Sequence, residues 1–350
     1  MLVEKQPHLH CGSDFQPHIR QYNPHSRKTK TPEPQSHRLN GLAHTAELTL
    51  HRRCGVSQNA IATTNRQQRG AAMFDMPKGH KTPKNKSNAE VDGGIGVDWG
   101  KTSRDYAQHR PGPPLSFYQK LAALEIGLPG QTVLDLGTGT GVIARQMARQ
   151  GCKVWATDIS QTQVKMAQTL ATEENLDITF ATASAETTDF ADNSFDVITA
   201  HQCFLYFDLE KVLPAILKML KPNGVLVISH FSWLPLICDI AKASEELILR
   251  HNPKWQAHSY SGRTYPNYPG MHPQFHYSGY FYYDVETPFT RESWRGRIRA
   301  SRGVGASMNA AEIAAFDAAH TEMLETMTED DFTVTHRIDA HIFSAGSVEH

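Results

Sequence analysis

The stretch VLDLGTGTGVIARQMARQG, Val133 to Gly151, constrains the chain more than any other. A short apolar run of strand character ends in Asp135, glycines follow at every second position (Gly137, Gly139, Gly141), and a helix-period pattern takes over. Glycines at a strand-to-helix turn let the backbone bend sharply and approach a ligand without Cβ atoms in the way. No Gly-Lys-Ser/Thr follows, so this is not a P-loop. A dinucleotide fingerprint is nearer, because Asp158 ends the next strand about twenty residues on, where a ribose-binding acid belongs. The spacing is nevertheless G-x-G-x-G rather than G-x-G-x-x-G, and Asp135 at the mouth of the loop would repel a pyrophosphate. A carboxylate there suits a ligand that carries an ammonium group.

The surrounding pattern sets the frame for that loop. Strand-like TVLDL, KVWATD, DITFATA, FDVITA and GVLVISHF alternate with helical segments at 141–150, SQTQVKMAQTLATEE and LEKVLPAILKML. Ser160 with Gln163 reads as a capping box at the start of the second of these helices. Short Val/Ile/Leu-rich strands separated by helices imply a parallel sheet covered on both faces, and the crossover rule makes it doubly wound. Ahead of this unit SFYQKLAALEIGL reads as a helix, with order beginning near Trp99. Beyond Phe231 the sequence predicts a helix at 234–250, an aromatic and proline-rich segment, a strand at YFYYDVE, helices at 291–301 and 309–327, and a closing strand FTVTHRIDAHIFSA, for seven strands in all.

Residues 1–90 differ from the rest. They are rich in Pro, His, Lys, Arg and Gln with little periodicity, a composition that cannot bury enough apolar surface to offset ordering entropy. They read as a disordered basic leader, with 91–350 as the folded domain; a start at Met73 or Met76 would leave most of the leader out. HLHC (His8 to Cys11) has no second ligand pair at finger spacing, so no metal is expected. The 350 residues carry 35 Lys and Arg against 36 Asp and Glu, which gives no electrostatic case for nucleic acid or an anionic membrane. No run approaches the length of a membrane span. Five cysteines, odd in number and without C-x-x-C spacing, fit a reducing, cytoplasmic setting.

Taken in order, LDLGTGTG, ATDIS, FADNSFDVITA and MLKPNGVLVIS resemble the class I S-adenosylmethionine-dependent methyltransferases, nearest the small-molecule branch of ubiquinone-biosynthesis and trans-aconitate enzymes. The resemblance covers about residues 99 to 230 well and the remainder loosely. It implies a Rossmann-like methyltransferase fold, with a cap insertion at about 232–280, and S-adenosylmethionine as cofactor. It further implies that Asp135, Gly137, Gly139 and Gly141 hold the methionine part. Asp158 would take the ribose hydroxyls, Ile159 would pack on the adenine, and Ser184, Ala185 and Glu186 would occupy the adenine-binding position. Many members have Asp where Ser184 stands, so the chain departs from the pattern there. DYAQHRPGPP is similar to the family's Tyr-x-x-x-Arg-Pro segment, which would bring Tyr106 and Arg110 over the methionine end.

On the acceptor side, TAHQCFLYF ends the fourth strand near the methyl position, which puts His201 among the cofactor-binding residues and makes it the leading base candidate, ahead of Gln202 and Tyr206. A carboxylate acceptor needs no base, whereas a hydroxyl or protonated amine does. The chain lacks the Asn/Asp-Pro-Pro-Tyr run typical of enzymes that methylate base or glutamine amides. Tyr260, Tyr265, Tyr268, Tyr277 and Tyr280 crowd the insertion, where they could line a pocket or staple a loop. Arg291, Arg295, Arg299 and Arg302 fall on one helical face. That face is either solvated or, through Arg299 or Arg302, binds an anionic acceptor beside Tyr206. The expected activity is methyl transfer to a small organic, carboxylate-bearing molecule. The alternatives are an RNA or protein methyltransferase that docks through the basic leader, and a non-catalytic S-adenosylmethionine-binding protein.

Overall fold

The computed structural model describes residues 98–264, 268 and 271–346; the leader, HLHC and Tyr265 lie outside them. A short 3-10 turn (Trp99–Thr102) leads into α1 (Ser103–His109) and α2 (Leu115–Ala123). The alternating unit follows as β1 (Thr132–Leu136), α3 (Val142–Arg149), β2 (Lys153–Asp158), α4 (Gln161–Glu173), β3 (Ile178–Thr182), β4 (Phe195–His201), α5 (Leu209–Met219) and β5 (Leu220–Trp233). Next come α6 (Asp239–His251), β6 (Phe275–Thr290), α7 (Arg291–Arg299), α8 (Ala310–Met327) and β7 (Asp331–Ala345).

The seven strands form one sheet in the order β3-β2-β1-β4-β5-β7-β6. The first five pair in parallel, while β7 runs antiparallel between β5 and β6. The chain reverses its direction of travel across the sheet between β1 and β4, so their carboxyl ends flank the switch point where open α/β sheets hold ligands. Strand alternation explains the two layers. Val133 packs on one face with Phe117, Leu121 and Met147 of α2 and α3. Leu134 and Leu136 pack on the other with Val212, Leu213 and Ile216 of α5. Both faces are covered, which is why β1 and β4 read as continuous apolar runs. Asp135 is the exception within β1, and it sits at the switch point.

A third cluster lies over the far ends of the long strands β5, β6 and β7, where Trp233, Trp255, Trp294, Phe316, Leu324 and Val334 bury each other. β5 continues to Trp233, and Phe275–Thr290 is a full strand of the main sheet. The helix expected at 234–250 begins at Asp239. That expected at 291–301 stops at Arg299, which leaves Arg302 in the following turn rather than on the helical face.

The face itself is not solvated. Arg291 donates to the Thr328 carbonyl, Arg295 pairs with Asp317, and Arg299 bridges Asp105 of α1 and Asp317 of α8. The capping box read at Ser160 forms only in half. Ser160 Oγ accepts from the Gln163 backbone N–H at 3.4 Å, but Asp158 takes the Ser160 N–H, and the Gln163 amide instead donates to the Trp99 carbonyl at 3.0 Å. Complete boxes occur at Thr290/Ser293 and Asn309/Glu312. Among the described residues no helix is long and apolar enough to cross a membrane.

Gly296 sets how closely α1 approaches α7, because a Cβ there would fall 2.1 Å from the His109 ring. Gly296→Ala should therefore overpack this contact and lower unfolding free energy by about 1–3 kcal/mol, read as a shift in the urea midpoint at unchanged slope.

Candidate active site

Past β1 the chain turns through Gly137, Gly139 and Gly141, with φ of 64°, 57° and 79°, a left-handed conformation that penalises any residue with a Cβ. Each glycine has its own reason. A Cβ on Gly137 would lie 2.7 Å from Cys203 Sγ, and on Gly139 the nearest atom would be Tyr106 Cε1 at 3.8 Å. On Gly141 it would press on Ala167 at 3.2 Å. Gly137 and Gly139 thus face the cleft, whereas Gly141 caps α3 against α4 and does not line it. The left-handed turn at Gly141 starts the helix. The loop is pinned from the side, since the Gly139 N–H donates to Asp158 Oδ2 at 2.9 Å and the Thr138 N–H to the Thr157 carbonyl at 2.9 Å.

Asp135 is 1% exposed. Thr199 Oγ1 donates to its Oδ1 and Thr138 Oγ1 to its Oδ2, each at 2.6 Å. Burial outweighs those two hydroxyls and pushes the carboxyl up to about 6. Asp135 lines a small cavity of about 330 Å³ that shares Tyr106, Arg110, Gly137 and His201 with the main cleft. Burial also raises Asp158, against the N–H groups of Ser160 and Gly139 that stabilise its charge. Both Asp158 oxygens accept one bond, and each keeps a lone pair for a further donor.

The main cleft has about 840 Å³ of empty space. Tyr106, Arg110, Gly137, Gly139, Asp158, Ile159, Ser184, Ala185, Glu186 and His201 all line it, although they come from five separate segments of the chain. Ile159 is 63% exposed, an aliphatic face open to a flat ring. The Ser184 hydroxyl pairs with Thr187 at 3.0 Å, and Glu186 accepts the Asp208 N–H at 2.9 Å. The Arg110 guanidinium lies over the Tyr106 ring, 4.5 Å from its centroid. His201 Nδ1 lies 2.9 Å from Ser229 Oγ, and burial, helped by the charge of Arg110, drives its imidazole well below the ordinary value. Trp99, Gln163, Cys203 and Phe207 also line the cleft and were not anticipated. The Gln163 bond to Trp99 was concealed by the apparent capping box, and Trp99 stands where only the onset of order was legible.

A second cavity, of about 1250 Å³, shares Trp99, Arg110, Gln202 and Tyr206 with the cleft. Tyr260 and Tyr268 line it, as does Arg302, whose Nη1 donates to Tyr206 Oη at 2.9 Å. Tyr277 and Tyr280 belong to β6, where Tyr280 packs 4.8 Å from the His341 ring. Arg299 is absent from this lining. Its guanidinium is engaged by Asp105 and Asp317 and ties α1 to α8.

The sheet order, the glycine turn and the acids near the carboxyl ends of β1 and β2 make up a Rossmann-like methyltransferase fold. The family comparison agrees: residues 134–228 match a model described as a methyltransferase domain. Residues 134–228 are thus similar to a methyltransferase domain, and S-adenosylmethionine is the cofactor of that domain family. The chain is 32% identical over 140 residues to the ubiquinone biosynthesis O-methyltransferase of Xanthomonas campestris pv. campestris, a match covering 39% of this chain and 58% of that protein. It is 36% identical over 106 residues to phosphoethanolamine N-methyltransferase 2 of Caenorhabditis elegans, covering 29% and 24%. The match thus spans little more than half of the ubiquinone-biosynthesis relative. Among solved structures, a protein of Anaeromyxobacter dehalogenans assigned as a type II methyltransferase aligns with TM-score 0.49 and 21% identity over 68% of this chain and 98% of that one.

The residues fit the cofactor's chemistry. A buried carboxylate held by two hydroxyls and the Ala144 backbone N–H, with its charge otherwise unmatched, suits an ammonium, Asp158 retains acceptor capacity for ribose hydroxyls, and Ile159 offers an uncovered apolar face. Because the folded-state value of Asp135 lies above the usual aspartate value, its contribution to stability is full below about pH 4 and is lost as pH rises through about 6. The stability difference between wild type and Asp135→Asn should therefore move against wild type by about 3 kcal/mol across that window, measured by urea unfolding at stepped pH.

Proposed function

We propose that this chain transfers the methyl group of S-adenosylmethionine to a small organic acceptor seated in the second cavity. The observation that carries the reading is that this cavity and the glycine-loop cleft share Trp99, Arg110, Gln202 and Tyr206, so a ligand in each meets at one wall. The bound cofactor supplies an activated sulfonium methyl. The chain's own contribution is positioning and exclusion of water.

In this reading Asp135 holds the ammonium, Asp158 the ribose hydroxyls, and Ile159 with Ala185 the adenine. Tyr106 and Arg110 close over the methionine end. Held neutral beside Ser229, His201 can accept a proton from a hydroxyl-bearing acceptor and need not act if the acceptor is a carboxylate. Arg302, fixed through Tyr206 in the acceptor cavity, favours an anionic, carboxylate-bearing acceptor. Concave clefts lined by aromatic side chains with a few polar groups favour a small molecule over RNA or a protein segment.

Calorimetric titration with S-adenosylhomocysteine should give micromolar affinity, weakened at least tenfold in Asp158→Ala, with no binding of NADH. Transfer of labelled methyl from S-adenosylmethionine to a panel of small carboxylic acids and phenols would complete the case. Binding without turnover on any acceptor would support a sensor or sequestering role instead, and NADH binding would overturn the cofactor assignment.

A further inference from the structure

The acceptor cavity contains a cluster that methyl transfer does not require. β5 and β7 pair antiparallel with His230 directly opposite Asp339, and His341 lies two residues beyond Asp339 on the same face of β7. Sheet geometry thus gathers two imidazoles and a carboxylate at one point, and all three line the cavity. His230 Nδ1 lies 2.9 Å and His341 Nε2 3.5 Å from the same oxygen, Asp339 Oδ1. One candidate ligand atom from each residue falls within 4.8 Å of the others. The side chains of Asp339 and His341 are 2% and 5% exposed, and that of His230 is 21% exposed on the cavity side.

We propose that His230, Asp339 and His341 form a binding site for a divalent transition-metal cation on the wall of the acceptor cavity. With metal–ligand bonds of about 2.1 Å, neighbouring donor atoms lie about 3.0 Å apart in an octahedral site and about 3.4 Å apart in a tetrahedral one. The two separations from Asp339 Oδ1 match that range. Two imidazoles with one carboxylate select zinc, iron(II) or cobalt(II) over magnesium or calcium, which prefer all-oxygen shells. Three protein ligands leave coordination positions open toward the cavity. The Tyr268 ring lies parallel to His230 at 6.3 Å and the Tyr280 ring 4.8 Å from His341, which fixes both imidazole planes. A divalent ion would also neutralise a carboxylate that is otherwise buried against two imidazoles. The site stands independently of the methyl-transfer reading, and only its use rests on that reading: an oxygen donor of the acceptor would bind the open positions while Arg302, which lines the same cavity, takes remaining negative charge.

The test uses the full chain, stripped with a chelator and titrated with cobalt(II) while its visible absorption is followed, then with zinc(II) as competitor. One saturable equivalent should appear and be displaced by zinc. Affinity should fall at least a hundredfold in His230→Ala and in His341→Ala, with S-adenosylhomocysteine binding retained as proof of folding. Histidines elsewhere, including those of the N-terminal segment, remain in both variants and serve as the internal control. Paramagnetically shifted imidazole resonances of His230 and His341 in the cobalt-loaded wild type provide a reading that needs no substitution. Absence of a saturable equivalent, affinity unchanged in the variants, or unshifted resonances of these two histidines would each overturn the site and leave a metal-free Asp–His pair. Loss of S-adenosylhomocysteine binding in the wild type would instead count against the cofactor assignment.

Discussion

The structure depends on one buried charge, Asp135. A carboxylate in the middle of a sheet, 1% exposed, is costly to keep ionised, and here Thr138 and Thr199 offset only part of that cost. Thr138 is held in place by the loop and Thr199 by β4, so the acid fastens together the two strands that bound the switch point. Burial still raises its carboxyl above the usual aspartate range, and a positive charge placed beside it would lower it again, while the glycines keep side chains out of the turn that follows.

Support for the site comes from far along the chain. Tyr106 and Arg110 belong to α1 or its C-terminal cap, and α1 is docked by the helices inserted between β6 and β7: Gly296 admits His109, and Arg299 spans Asp105 and Asp317. Behind them the cluster around Trp294 fixes α7 against α6, where the indole N–H and His320 both meet Ser244 Oγ. The C-terminal helices therefore act on the glycine-loop cleft indirectly, by setting where Tyr106 and Arg110 lie, and β5 and β7 line the second cavity directly.

What the sequence disclosed and what it concealed divide along physical lines. The alternating strands, the glycine turn and the acid ending each of β1 and β2 were legible because each is a local pattern, fixed by neighbours within a few residues. Ten of the twelve residues assigned to the cofactor line the cleft for that reason; Asp135 lies in the adjoining small cavity and Gly141 in the helix cap. The partners of Arg299 were not legible because periodicity places a side chain on a face without saying what packs there, and two acids from α1 and α8 meet it. Gln163 was misjudged because Asp158 competes for the donor that a capping box needs. His230, Asp339 and His341 were invisible to a search for metal spacing, since over a hundred residues separate strands that the sheet makes neighbours.

The most direct measurement is the titration of the Asp135 carboxyl carbon by NMR, in protein carrying labelled aspartate, with and without S-adenosylhomocysteine. The account predicts an apparent pKa near 6 in the free protein that falls when the ammonium is bound. A value unchanged by ligand that nevertheless binds would mean that the charge at the end of β1 does not hold the cofactor, and would contradict the account at its centre.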